Sequence, residues 1–199
     1  MTALIALLAL STYAPPSNPF EMTRAIEPAP VVAAADEPRK GIFSYSFVEA
    51  NYKWTDIDGL DDPVDGWEAR VSFELPLNFF LQASYGQLSG DVDIDEWRFG
   101  AGWHMPLADR FDVYGILSIS GTDIEDNNED GFAAEVGGRM MVVDKVELNA
   151  RGIWVDIEDS DAGLGVGARY YFQPNMSFGL NADVTGDATT WTAGLRFQF

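Results

Sequence analysis

Apolar and polar residues alternate along most of the chain after residue 41. In the stretch from Trp191 to Phe199 every second residue is apolar or aromatic, and the residues between them are Thr, Gly, Arg and Gln. A repeat of two residues is the period of a β-strand with one apolar and one polar face. The alternation predicts ten strands, at about 42–55, 66–75, 79–89, 94–105, 111–121, 132–142, 146–156, 163–172, 176–185 and 190–199.

Two kinds of connection alternate between the predicted strands, one short and the other rich in Asp and Gly. Short turns at one rim and longer loops at the other are typical of bacterial outer-membrane barrels. The sequence therefore predicts an all-β fold, a transmembrane antiparallel up-and-down β-barrel of about 10 strands over residues 41–199, with 8 strands as the alternative count. The short connections are 76–78, 106–110, 143–145 and 173–175, and the long ones are 56–65, 90–93, 122–131, 157–162 and 186–189.

The apolar face of the predicted strands carries almost no charge. Its exceptions are Asp95 and Asp156, which both lie beside loops. A Lys or Arg that faces lipid at the membrane midplane costs about 2 to 4 kcal/mol, so this pattern suits contact with lipid. Aromatic residues gather at the strand ends, as they do at membrane interfaces. Because alternation alone does not tell which face is inside, a soluble lipocalin-like ligand-binding barrel is an open alternative.

The opposite face carries charges of both signs together with many glycines. Glycine leaves room for long side chains to cross a narrow interior, where an unpaired charge is costly. We therefore predict a lumen that paired charges close, with a narrow porin-like channel for small solutes or ions as the alternative. The predicted lumen charge network is Glu49, Lys53, Glu68, Arg70, Glu74, Glu96, Arg98, Asp112, Glu135, Arg139, Glu147, Arg151, Arg169, Asp183 and Arg196.

The chain is strongly acidic, with 32 Asp and Glu residues, 12 Lys and Arg residues and a net charge of -20. This balance argues against nucleic acid as a partner, because binding phosphates needs a basic surface. No Lys or Arg falls in the long loops, so the rim that these loops form is acidic.

Several Asp-x-Asp spacings in this rim offer oxygen ligands to Ca²⁺ or Mg²⁺, although no stretch matches a twelve-residue calcium loop. We expect no cofactor beyond loosely bound Ca²⁺ or Mg²⁺. The candidate residues for this weak divalent site are Asp56, Asp58, Asp123, Asp126 and Asp130.

The residues offer little for catalysis. The chain has no Cys and a single His, His104, on the predicted lumen face beside the short turn at Pro106. General acid–base or triad chemistry needs a His within hydrogen-bond reach of its partners at an accessible site. We therefore expect no enzymatic activity and a structural role for His104.

The first forty residues differ from the rest of the chain. Residues 3–10 form an apolar run of the length of a signal-peptide core, which is too short for a transmembrane helix. A Pro-rich stretch follows. We predict a signal peptide and a Pro-rich N-terminal segment in residues 1–40, followed by the barrel domain in residues 41–199.

The last predicted strand resembles a known assembly signal. Its sequence GLRFQF, at 194–199, is similar to the close of small OmpA-like and opacity-type outer-membrane β-barrel proteins. That resemblance implies a location in the cell outer membrane and a structural or surface-interaction role. We expect a monomer whose partners are outer-membrane lipid and lipopolysaccharide. The resemblance also implies insertion by the barrel assembly machinery, through a signal made of Trp191, Leu195, Phe197 and Phe199.

Overall fold

A computed structural model describes most of the barrel domain. The predicted signal peptide and Pro-rich segment, residues 1–40, lie outside the described residues. In the described part of the chain no helix is long and apolar enough to span a membrane. The described residues are 42–90, 92–124, 127–157, 160–186 and 188–199.

Ten β-strands follow one another in the described residues, each antiparallel to the next, and the first strand also pairs with the last. The sheet therefore closes into an up-and-down barrel. This confirms the predicted fold and shows that the count of eight strands is wrong. The strands are β1 (Phe47–Ile57), β2 (Val64–Glu74), β3 (Phe79–Ser89), β4 (Ile94–Ala108), β5 (Phe111–Ile124), β6 (Asn127–Val143), β7 (Val146–Asp156), β8 (Ser160–Gln173), β9 (Met176–Thr185) and β10 (Ala188–Gln198).

Side chains alternate between the two sides of the barrel wall. Large apolar residues face outward, and Leu117 and Leu164 are 73% and 72% exposed, whereas Glu147 faces inward and is 2% exposed. A water-soluble barrel has the opposite arrangement, because it buries its apolar face. The lipocalin-like alternative is therefore wrong, and the outer surface is of the kind that lipid covers.

The first strand begins at Phe47 and not at residue 42. The neighbouring strands β2 and β10 both end near the level of Phe47, so residues 42–46 have no partner strand on either side. The chain instead turns into the lumen, where the side chains of Phe43 and Tyr45 are buried. The aromatic residues of this segment therefore mark the interior of the barrel and not its lipid face.

Strands continue into the acidic stretches that the sequence pattern assigns to long loops. Within 122–131, β5 and β6 stay paired, with Thr122 opposite Glu129. β8 likewise begins earlier than predicted, at Ser160. Antiparallel pairing satisfies backbone donors and acceptors in water as well as in lipid, so the ladder does not have to stop at the membrane surface.

Candidate functional site

The lumen is the candidate site, because the inward faces of the strands bring most of the predicted charges together there. The guanidinium of Arg139 on β6 donates hydrogen bonds to both oxygens of Glu147 on β7, at 2.8 and 3.0 Å. The hydroxyl of Tyr171 donates a third hydrogen bond to this carboxylate, at 2.5 Å. All three residues are buried. The cluster therefore pairs charges that would each be costly alone.

Glu49 on β1 forms ion pairs with arginines on β8 and β10, across the seam where β1 pairs with β10. Arg169 Nη2 lies 2.6 Å from Glu49 Oε1, and Arg196 Nη2 lies 2.8 Å from Glu49 Oε2. Arg169 extends over Gly179 on β9, where an added Cβ atom would stand 3.0 Å from the guanidinium carbon. Glycine at this position therefore provides the space in which an arginine from β8 reaches an acid on β1.

Three further pairs lie among the predicted lumen charges. Arg151 on β7 donates two hydrogen bonds to Asp183 on β9, at 3.0 and 2.6 Å, across Gly165 on the strand between them. Bidentate pairing of this kind fixes the orientation of both side chains as well as their charge. The three pairs are Arg151 with Asp183, Lys53 with Glu96, and Arg70 with Glu68.

Four members of the predicted network have other surroundings. Arg98 faces the lumen, but its side chain has no ion pair or hydrogen bond with any described residue. Glu135 accepts a hydrogen bond from the hydroxyl of Tyr114 at 2.6 Å. Glu74 and Asp112 lie beside His104 near the short turns. Eleven of the fifteen predicted lumen charges thus form ion pairs with one another, and these four do not.

Residues 42–46, which we call the N-terminal plug, fill the short-turn end of the lumen from inside. Phe43 and Tyr45 are 5% and 3% exposed and pack with Phe80 in an apolar cluster. The guanidinium of Arg139 lies over both rings, 4.6 and 5.1 Å from their centroids, where a cation and an aromatic face attract each other. Burial raises the pKa of Tyr45, which precedes the first strand, to about 12.

His104 lies against the N-terminal plug. Its ring stacks on the ring of Tyr45, with centroids 3.9 Å apart. Its Nδ1 is 3.7 Å from Asp112 Oδ2 and its Nε2 is 3.6 Å from Glu74 Oε1, both beyond hydrogen-bond distance. Within the described part of the chain neither ring nitrogen has a hydrogen-bond partner. His104 therefore contributes aromatic contacts, with its ring stacked on Tyr45 of the N-terminal plug and tilted against Phe80.

A second apolar cluster lies inside the wall at the long-loop end, around Val64, Leu88 and Ile94. The sequence pattern missed both inner clusters, because it assigned apolar residues to the lipid face. Breaks in the alternation are the signal that reveals them. The adjacent rings of Phe79 and Phe80, for example, cannot both face lipid in one strand.

Between these clusters the lumen holds a cavity of about 290 Å³. It reaches the long-loop ends of the strands, where Thr122, Ile157 and Thr185 line it. Among the described residues its lining includes seven Lys and Arg side chains and six Asp and Glu side chains. The lumen is therefore a small polar pocket, as expected of a barrel with few strands.

The predicted assembly residues lie on the outside of the wall. Trp191, Leu195, Phe197 and Phe199 are all exposed. The backbone N–H of Phe199 donates a hydrogen bond to the carbonyl oxygen of Ser46 at 3.1 Å. This bond ties the end of β10 to the chain just before β1.

The candidate divalent-cation residues lie toward the long-loop rim. Asp56, Asp58, Asp123 and Asp130 are exposed, and Asp126 lies outside the described residues. Over the residues that the structure describes, no group of three or more His, Asp or Glu side chains is placed to hold a metal ion. The exposed carboxylates of these four residues therefore give the described part of the rim a diffuse negative charge.

Comparisons with known proteins agree with the architecture. The family described as the outer membrane protein beta-barrel domain matches residues 28–199. No curated protein sequence matches the chain.

Among solved structures, the chain is similar to the beta domain of the Bordetella autotransporter BrkA, with a TM-score of 0.52 and 9% identity over 77% of this chain and 98% of that chain. It is also similar to the NanC porin, with a TM-score of 0.51 and 6% identity over 76% of this chain and 100% of that chain. At such low identity these likenesses show the fold alone. The family match shows more: the chain belongs to the outer membrane protein β-barrel domain family and is a protein of the cell outer membrane.

Proposed function

We propose that this barrel does not conduct solutes freely and acts at the outer membrane through its wall and its acidic outer rim. The observation that carries the proposal is the filling of the lumen at the short-turn end. Ion pairs such as that of Arg139 with Glu147 occupy the interior, and Phe43 and Tyr45 of the N-terminal plug are buried beside them. Barrels of about eight strands are filled by their own side chains, whereas open channels are typical of about sixteen strands or more.

We also propose that the barrel has no catalytic role. His104 is 3% exposed and is covered by the ring of Tyr45. General acid–base catalysis needs a His that a substrate reaches. The carboxylates of Glu74 and Asp112 stand beside the ring without a hydrogen bond to it, so the described residues around His104 do not form the hydrogen-bonded chain of a triad.

Single-channel recordings in planar bilayers test the closed lumen. We expect the folded protein to give no stable large conductance, only small or flickering events. The double variant Phe43→Ser with Tyr45→Ser should conduct more, because it removes the apolar contacts that hold the N-terminal plug. Ile42→Ser is the matched control, since Ile42 lies in the same segment and is exposed. Steady porin-sized channels from the unmodified protein would overturn the proposal.

A narrow channel for small solutes or ions is the second candidate. The cavity of about 290 Å³ and its charged lining favour it. This function requires the N-terminal plug to leave the lumen during normal activity. It predicts that the unmodified protein opens in long events with the same unit conductance as the double variant.

A further inference from the structure

One row of inward-facing residues across β2, β3, β4 and β5 alternates arginine with serine. Neighbouring strands lie about 4.8 Å apart, so the Cα atoms of the two arginines are separated by about 10 Å, with one serine between them. All four side chains line the lumen cavity. In order across the wall the row is Arg70, Ser84, Arg98 and Ser120.

This Arg–Ser row holds hydrogen-bond donors that no described residue uses. The side chains of Arg98 and Ser84 form no hydrogen bond in the described part of the chain. The Nε of Arg70 and the hydroxyl of Ser120 are buried and also lack a partner there. Buried polar groups in native proteins are nearly always hydrogen-bonded. Free donors that converge on one cavity therefore indicate a place for an acceptor.

The row also carries positive charge that its neighbours do not cancel. Glu68 and Glu96 lie two residues before Arg70 and Arg98, on the long-loop side of the row. Glu68 is paired with Arg70, and Glu96 is paired with Lys53. These two acids are therefore already engaged, Arg98 has no ion pair with a described residue, and the cavity lining among the described residues has one more basic than acidic side chain. The parallel row on the short-turn side has no charged side chain, and its members are Ser72, Gln82, Gly100 and Ser118.

We propose that the Arg–Ser row binds a small oxyanion, the phosphate or carboxylate group of a solute. Arginine binds such groups through parallel charge-assisted hydrogen bonds, and the serine hydroxyls donate to the remaining lone pairs. The cavity volume of about 290 Å³ limits the ligand to a small molecule. The ligand enters from the long-loop side, which the cavity reaches. The proposal is independent of whether the barrel conducts, because the row lies between the two ends of the lumen.

Isothermal titration of the detergent-folded protein tests this site, with inorganic phosphate in one series and succinate in another. Ionic strength is held constant with sodium chloride, because the acidic rim repels anions and salt screens that repulsion. We expect saturable binding of one anion per chain. Arg98→Gln should weaken it about tenfold or more, since a charge-assisted hydrogen bond is lost. Ser120→Ala should weaken it less.

Arg110→Gln is the matched control, since it removes the same charge from an exposed residue in a short turn. Heat-modifiable mobility on a gel shows whether each variant is folded. If Arg98→Gln does not fold, Ser120→Ala and Ser84→Ala carry the test, because each removes a single hydroxyl. Competition by added lipopolysaccharide assigns the oxyanion to a lipid headgroup, and lack of competition assigns it to a free solute. The proposal is overturned if neither anion binds saturably, or if the lumen variants bind as tightly as Arg110→Gln.

Discussion

At the scale of single residues, the role of a charged side chain in this lumen depends on whether it has an ion-pair partner. Arg139 and Arg98 are both arginines on the inward face, and alternation along the strands predicts that much for each. Arg139 pairs with Glu147, whereas Arg98 has no ion pair among the described residues. The difference depends on the register between strands, which sets the acids that each arginine reaches. The pattern within one strand restricts that register but does not fix it, because the turns between the strands also contribute.

The two arginines should therefore differ in their effect on stability. Arg139→Gln should lower the free energy of unfolding by about 3 to 5 kcal/mol, because it leaves Glu147 buried without its partner. Arg98→Gln should cost much less, since no described acid depends on it. Urea unfolding in lipid vesicles, followed by tryptophan fluorescence, measures both values. Equal losses in the two variants would contradict the pairing seen in the lumen.

At the scale of strands, the sequence predicts the number and order of the elements better than their ends. The alternation in Trp191–Phe199 is sufficient to identify β10 and its outward face. The start of β1 was not predictable in this way, because it depends on where β2 and β10 stop. Phe43 and Tyr45 turn inward because β2 and β10 no longer pair with the chain before Phe47. The sequence of one strand cannot predict this, since it depends on the ends of all three strands.

The outward face of β10 provides a test of assembly. Leu195→Arg places a charge on the lipid-facing side, at a cost of about 2 to 4 kcal/mol near the midplane, and should reduce the amount of folded protein in the outer membrane. Leu195→Phe is the control, because it keeps the position apolar. Membrane fractionation followed by heat-modifiable mobility measures the folded fraction.

Deletion of Phe199 should reduce the folded fraction as well. Its N–H bonds to Ser46, and its ring lies 6.0 Å from that of Phe73. If both the deletion and Leu195→Arg leave normal amounts of folded protein in the outer membrane, the outward face of β10 does not act as an assembly signal.

At the scale of the whole molecule, the lumen and the long-loop rim differ in the sign of their charges. The lumen contains both signs in similar numbers, whereas the long-loop rim contains acids and no Lys or Arg. The sequence predicts this separation, because it follows from which residues lie in strands and which lie in loops. A one-sign rim raises the local concentration of counter-ions. We propose that it gathers divalent cations loosely and that these bridge it to the phosphates of lipopolysaccharide.

Calcium titration of the detergent-folded protein at physiological salt tests this role of the rim. The triple variant of Asp123, Asp126 and Asp130 to Asn should bind less Ca²⁺, because three carboxylates are lost from one hairpin. Asp109→Asn is the control for the opposite rim, where Asp109 lies in a short turn. Identical titration curves for the triple variant and the unmodified protein would exclude a role for this hairpin.

The seam between β1 and β10 leads us to expect an order of folding. Every other pairing joins strands that are consecutive in the chain, so the wall can grow hairpin by hairpin, but Phe47 meets Gln198 only after the last strand is in place. Contacts so distant in sequence form slowly. The guanidinium of Arg139 on β6 donates a hydrogen bond to the carbonyl oxygen of Ser44 in the N-terminal plug, at 3.5 Å, so this contact also joins residues that are far apart in the chain. We therefore expect the hairpins to form first, the seam to close next and the N-terminal plug to dock last.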